Sequence, residues 1–336
     1  MSFRADPSER ALARGAWVKL ICGASNQDLP AITDLCALYA SAGVHCVDVA
    51  ADQAVVIAAR QGLDWAEARN GHRPWLMVSV SDGMDTHFRK AWFDAQRCPL
   101  DCPRPCERVC PADAISSVGG VLSNRCYGCG RCLPTCPHGL IEAHDQRLSQ
   151  ADVASLLAEV KPDAVEIHTA PGRREAFDAV VASLMHLGLS LRRVAVSCGL
   201  EGHGLTIEDL AGELWLRHGC LQAYGLRPLW QLDGRPMSGD VGPGTARAAV
   251  SLWQRILPIA PPGPLQLAGG TNSHTDALLS DELRPAGVAF GGMARRLVKP
   301  WLLEAEARQV NLRDWPEGWE AALKTVQALV NPWLCR

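Results

Sequence analysis

The stretch LQLAGGTN at residues 265–272 and its counterpart VAFGG at 288–292 decide the fold. Each is a short apolar run that reads as a buried strand and ends in a glycine pair, Gly269-Gly270 and Gly291-Gly292. Working outward, strand-like and helix-like segments alternate along most of the chain. Residues 18–22, 46–50, 75–80, 164–168, 194–198 and 229–232 read as six further strands. Between them lie helical patterns, such as Ile32, Leu35, Cys36 and Tyr39 at i, i+3, i+4, i+7. Residues 276–283 read as the helix between the last two strands. Eight strands with helices between them, over roughly 250 residues, fit a TIM-like (β/α)8 barrel in the α/β class. A doubly wound open sheet shows the same alternation. The glycine pairs favour the barrel, because they follow strands seven and eight, where barrels bind phosphate through backbone N–H groups. Gly269, Gly270, Asn272, Gly291 and Gly292 are therefore candidate contacts for a phosphate or for flavin mononucleotide (FMN). Tight turns with no ligand would use the same glycines.

Polar residues gather on or just beyond these strands, among them Lys19, Asp48, Ser79, Glu166, His168, Gln231 and Asp233. Glu166 and His168 share a face, as do Gln231 and Asp233, because strand side chains repeat every two residues. Burying such groups without partners costs about 1–3 kcal/mol each. They are expected to line a wet pocket at the barrel mouth, with Lys19, Glu166, His168 and Asp233 as candidate acid–base residues. A satisfied internal network is the alternative. Residues 233–246, DGRPMSGDVGPGTA, read as a loop long enough to close over that mouth, with Arg235 and Asp240 as its candidate contacts.

The barrel pattern breaks between the third and fourth strands, where eight cysteines fall within residues 98–136. The second half, Cys126-x2-Cys129-x2-Cys132-x3-Cys136-Pro137, is the run of bacterial-type ferredoxins. Three thiols two residues apart wrap one cluster, while the fourth points toward another. Gly128 and Gly130 allow close backbone approach. The first half, Cys98-x3-Cys102-x3-Cys106-x3-Cys110-Pro111, ends the same way but begins stretched. Crossing predicts one iron–sulfur cluster on Cys110, Cys126, Cys129 and Cys132, and a second on Cys98, Cys102, Cys106 and Cys136. Both are expected as 4Fe-4S, although the stretched half also admits 3Fe-4S. Paired structural zinc sites are the competing reading. Ala114-Ile115 and Leu140-Ile141 occupy equivalent positions after each C-P. Between Arg89 and Pro137, seven basic residues face four acidic ones, a local net of +3. Positive charge there would stabilise a reduced cluster and steer an acidic carrier such as a ferredoxin.

Composition sets the outer limits. The 33 Lys and Arg against 36 Asp and Glu give a net charge of −3, which argues against a nucleic-acid binder. No run of apolar residues is long enough to span a membrane. The opening MSFRADPSERALARGAW lacks the apolar run of a secretory signal and reads as a short flexible arm. Fourteen cysteines in such a chain point to metal binding in the cytoplasm rather than to disulfides. Cys22, Cys36, Cys46, Cys198, Cys220 and Cys335 lack cluster spacing and read mostly as small core residues. The expected organisation is a first barrel part at 1–88, a two-cluster ferredoxin-like insertion at 89–147, a second barrel part at 148–299, and a helical extension at 300–336. That extension is packed by Trp301, Trp315, Trp319 and Trp333.

The segments WVKLICGASNQDLPAITDL, HCVDVAAD, PWLMVSVSDG, CPRPCERVCPADAI, RCYGCGRCLPTCP, WQLDGRPMSGDVGPGT and QLAGGTN resemble the cyanobacterial light-dependent period family over nearly the whole chain. The resemblance implies an iron–sulfur protein that feeds the cell's redox state, a proxy for light, into the circadian clock. It also implies contact with clock proteins such as KaiA and CikA. Both cysteine motifs are intact, so the eight ligands carry over. Three functions are thus open: a redox-sensing regulator, a barrel reductase fed by the clusters, and a passive electron shuttle. A shuttle has little use for so large a barrel.

Overall fold

Strand β1 (Trp17–Gly23) shows how the sequence divides inside from outside. Val18 and Leu20 face outward into the apolar shell beneath the helices, whereas Trp17 and Lys19 point into the barrel. The same two-residue period repeats on the seven other barrel strands. These are β2 (Cys46–Ala50), β3 (Trp75–Ser81), β8 (Ala164–His168), β9 (Arg193–Cys198), β10 (Pro228–Asp233), β11 (Leu265–Ala268) and β12 (Gly287–Phe290). All eight pair in parallel and close the circle, β12 returning to β1 through Trp17 opposite Gly287. The fold is therefore a TIM-like (β/α)8 barrel. This computed structural model describes residues 6–116, 120–200, 204–235, 242–280 and 282–335. Asp240 lies outside the described residues.

Helices α2 (Leu29–Ser41), α3 (Gln53–Asn70), α6 (Gln150–Val160), α7 (Arg174–His186), α8 (Ile207–Ala223) and α9 (Ala246–Ile256) cover the strands. Their starts are written in the sequence: Asp28, Asp52, Ser149 and Thr206 cap α2, α3, α6 and α8 through side-chain oxygens. Helix α10 (Gly292–Ala307) follows β12 directly and continues through Pro300, and α11 (Pro316–Leu334) packs beside it. Trp333 is buried, and Trp301, Trp315 and Trp319 pack on the main core.

Two expectations are corrected. The opening segment is no loose arm: residues 7–14 form helix α1 (Pro7–Arg14), capped by Asp6, which closes the N-terminal end of the barrel. Ala11 and Leu12 cover the inward-facing Trp17, Trp75 and Met77. Glu9 forks onto Arg193 at 2.7 and 2.9 Å and reaches Arg227 at 2.6 Å. The apolar pair and the paired acid were visible in the sequence, but their partners lie far along the chain. The helix expected at 276–283 is also missing. A single 3-10 turn, Asp276–Leu278, stands in its place. Ser280 there accepts from the Leu283 amide at 3.3 Å, a local turn that competes with a helix.

Between β3 and β8 the chain leaves the barrel. The antiparallel pair β4 (Arg89–Trp92) and β7 (Glu142–Asp145) forms a neck. Beyond it lie the antiparallel pair β5 (Ile115–Ser116) and β6 (Gly120–Val121), and the short helices α4 (Pro105–Arg108) and α5 (Cys132–Thr135). Ile115 and Ile141 meet in one small core with Cys106 and Cys132, so the residues after each C-P motif do occupy equivalent places. This is the bacterial-type ferredoxin arrangement inserted into a barrel.

Candidate functional site: crossed cysteine sets and a buried charge network

The insertion sorts its cysteines across the two motifs rather than along them. Cys110, Cys126, Cys129 and Cys132 line one apolar pocket with Ala114, Ile115 and Val121. Their thiols are close enough that Cys110 and Cys126 raise the pKa of both Cys129 and Cys132, after burial itself. On the other side, Cys102 and Cys136 act in the same sense on both Cys98 and Cys106, again after burial. None of these cysteines is in a disulfide.

Backbone amides point at the sulfurs. Ala114 N–H donates to Cys110 Sγ at 3.2 Å, and Leu140 N–H donates to Cys136 Sγ at 3.4 Å. These two bonds are equivalent, each from the residue four beyond its cysteine. Ala91 N–H reaches Cys126 Sγ at 3.4 Å. Gly128 and Gly130 have φ of 74° and 76°, and a side chain at either would strike Arg89. Four convergent thiols with N–H donors and a close-approaching glycine loop are the donor set that an iron–sulfur cluster requires.

Within the barrel, the polar residues form one connected chain in two layers. The inner layer is sealed: Lys19 and Gln266 are 0% exposed and Glu166 is 1% exposed. Lys19 Nζ pairs with Glu166 and lies 3.6 Å from Asp48, whose carboxylate accepts from Ser79 at 2.8 Å. Gln231 donates to Glu166 at 2.7 Å and accepts from Gln266 at 2.7 Å, which in turn accepts from Trp17 at 2.8 Å. Burial opposes the Lys19 charge, but Glu166 and Asp48 override it and hold its pKa above the usual lysine value. Burial likewise opposes ionisation of Glu166, and Lys19 and His168 overcome it. Lys19 and Glu166 thus belong to an internal network and do not line a wet pocket.

The outer layer lies nearer the mouth. His168 Nε2 sits 3.2 Å from Glu166, and its Nδ1 sits 3.9 Å from Asp85. Asp85 accepts from His87 Nδ1 at 2.6 Å. Burial alone would lower His168, but the Glu166 hydrogen bond and the Asp85 charge raise it to about 9. Asp233 joins this layer through Ser197 and Gln231. Asp85, His87 and His168 bring three ligand-type atoms within 4.8 Å of one another. Sequence reading missed Asp85 and His87, although Asp85-x-His87 just beyond a barrel strand was a usable signal.

The glycine pairs take different roles. Gly269 and Gly270, at φ of 67° and 90°, form a tight turn whose Cα positions press on the backbone of Arg235 and Thr245. Asn272 is engaged there as well, donating to Gly242 O at 2.8 Å and Thr245 Oγ1 at 3.1 Å. Gly291 and Gly292 open α10 with no side-chain cap. Of the six other cysteines, Cys22, Cys36, Cys46 and Cys198 are buried, Cys220 is half-buried and Cys335 is exposed.

A closed parallel barrel carrying an inserted cysteine-rich domain of this kind defines a barrel-borne iron–sulfur protein. Residues 98–147 match the family model described as the LdpA Fe-S cluster-binding domain, and residues 156–332 match the Light dependent period A C-terminal domain. The chain is 47% identical over 331 residues to Light dependent period A of Synechococcus elongatus, covering 96% of this chain and 92% of the relative. It belongs to the Light dependent period A family. A shorter likeness, 41% over 59 residues, is to YsaA of Escherichia coli, named for electron transport, and covers 17% of this chain and 38% of that one. Among solved structures, deoxyribose phosphate aldolase from Aeropyrum pernix aligns with 91% of this chain and 99% of its own at 12% identity and a TM-score of 0.43. Among the described residues, no helix is long and apolar enough to cross a membrane.

Proposed function

We propose that this chain is a cytoplasmic redox sensor that holds two 4Fe-4S clusters on crossed cysteine sets and relays the cell's redox state, and so light, to the circadian clock. The observation that carries this reading is the grouping of Cys110 with Cys126, Cys129 and Cys132, and of Cys136 with Cys98, Cys102 and Cys106. A cluster on each set supplies one-electron chemistry. The protein's part is electrostatic: the amides of Ala91, Ala114 and Leu140 stabilise thiolate charge and favour the reduced state. The local net of +3 would draw in an acidic carrier such as a ferredoxin. Membership of the family supports clock proteins of the KaiA and CikA kind as partners. The wider spacing of Cys98, Cys102 and Cys106 leaves 3Fe-4S as an alternative in that half. The test is anaerobic purification with iron, sulfide and zinc counted, followed by a potentiometric titration. About eight irons and eight sulfides per chain are expected; zinc in their place would overturn the reading.

A second reading is favoured by the outer polar layer. His168, Asp85, His87 and Asp233 form a constellation suited to acid–base or metal-assisted work, as a reductase using a flavin or a phosphate-bearing substrate would need. Recovery of a yellow protein retaining FMN would promote this reading. Cluster absorbance without a bound flavin leaves the sensor ahead.

A further inference from the structure

A cleft of about 780 Å3 lies between the insertion and the barrel, walled by α10, the start of α2 and the loop after Cys110. That volume falls within the range of small-molecule sites, roughly 300–1,000 Å3. Cys110 and Tyr127 line both this cleft and the cysteine pocket behind it, so one thin wall separates the two.

The charges of the cleft do not balance. Six cations and four carboxylates line it. Each carboxylate already has a cation. Asp28 and Glu306 pair with Arg125, Asp113 with Lys299 at 2.6 Å, and Asp34 with Arg313 at 2.5 Å. Among the described residues Arg108 and Arg295 pair with no carboxylate: Arg108 donates to Pro103 O at 3.1 Å, and Arg295 donates to Ile21 O at 2.9 Å, hydrogen-bonds the Tyr127 side chain and lies over its ring at 4.1 Å. Arg296 is exposed and pairs with no carboxylate among the described residues. Arg295 Nε is buried without a hydrogen-bond partner.

Helix α10 adds an independent sign. It runs for 16 residues, begins at Gly291-Gly292 and has neither a side-chain cap nor an acid in its first turn. Two arginines stand close to that N-terminus instead, where the helix dipole already favours negative charge. An anion would satisfy the open amides and both arginines together. Leu35, Val109 and Leu302 give the cleft an apolar part of its lining, beside Tyr127. Guanidinium planes stack on aromatic faces and bind phosphate in bidentate fashion.

We infer that this cleft is a binding site for a small phosphorylated aromatic molecule, held against the wall that carries Cys110. The phosphate lies toward Gly292, Arg295 and Arg296, and the ring lies along Leu35, Val109 and Leu302. This places the anion site at the second glycine pair, where α10 begins, and not at Gly269-Gly270, which is used up in a turn. The redox meaning of the site rests on the cluster reading above; binding itself does not.

The test titrates anaerobic, cluster-loaded protein with two pairs of probes: FMN against riboflavin, and adenosine monophosphate against adenosine. At least one phosphorylated probe is expected to bind about tenfold more tightly than its partner. Arg296→Glu should weaken that binding about fivefold or more with iron content unchanged. Leu303→Trp, at the half-exposed rim, should weaken both members of the pair. Iron and sulfide counted in the same samples report the cluster reading separately. Equal affinity within both pairs, or unchanged binding in both variants, overturns the inference.

Discussion

Cys110 and Cys129 belong to different sequence motifs yet line one apolar pocket, where burial first and then the neighbouring Cys110 raise the Cys129 pKa. That relationship makes the insertion a single interlocked unit. On the proposed crossed pairing neither half completes a ligand set alone, so the two sites should form or fail with the fold of the whole insertion.

The loop that wraps this pocket depends on Gly130. Its φ of 76° is one that L side chains rarely adopt, and a β-carbon there would have to displace the Arg89 guanidinium, which donates to Gly128 O at 2.9 Å. Gly130→Ala is expected to lower the iron content toward half while the far-ultraviolet circular dichroism of the barrel is retained. Full iron content in the variant would show that the loop tolerates a side chain there.

Lys19 neutralises two buried carboxylates inside the barrel. Lys19→Met leaves His168 as the remaining cation beside Glu166 and Asp48 and should cost about 3–5 kcal/mol of stability, read by urea unfolding. The double variant Lys19→Met with Glu166→Gln should recover part of that loss, because fewer uncompensated charges remain. A single variant as stable as the parent would mean that the ammonium is not what holds the network together.

His168 gives the barrel a pH dependence whose direction is fixed. Its folded pKa, about 9, lies above the ordinary histidine value of 6.5. Protonated His168 therefore stabilises the fold fully below pH 6.5, and that contribution fades as pH rises through 9. Parent and His168→Gln proteins should differ most in urea stability near pH 6 and least near pH 10. A gap that widens with rising pH would reverse the assignment.

Helix α1 seals the lower end of the barrel through Leu12 and the Glu9–Arg193 fork. Deleting residues 1–15 uncovers Trp17 and Trp75 and strips Arg193 and Arg227 of their carboxylate. The melting temperature should fall by several degrees, with new binding of an apolar dye. An unchanged melting temperature would make α1 an ornament of the barrel.

Much of this molecule was legible in its sequence because two periodicities are strong and local. Short apolar runs between helical repeats marked the barrel strands, and cysteine spacing marked the cysteine-rich insertion. What escaped depended on distant partners. Glu9 declares itself only when Arg193 and Arg227 are brought beside it. Lys19 and Glu166, expected at a wet mouth, meet in the sealed interior because strand register, not strand identity, sets their depth. Asp85 and His87 lie just beyond β3, at the start of the insertion, and gain meaning only from His168 across the barrel rim. The Gly269-Gly270 and Gly291-Gly292 pairs look alike in sequence, and only packing separates a turn from an open helix start.

Cluster membership read by electron paramagnetic resonance on single serine variants tests the central claim most directly. Cys110→Ser and Cys129→Ser should silence the same reduced-cluster signal, while Cys136→Ser and Cys106→Ser silence the other, each with about half the iron lost. Signals that divide by motif, with Cys110 following Cys106 and Cys136 following Cys129, would contradict the account, as would a preparation that holds zinc.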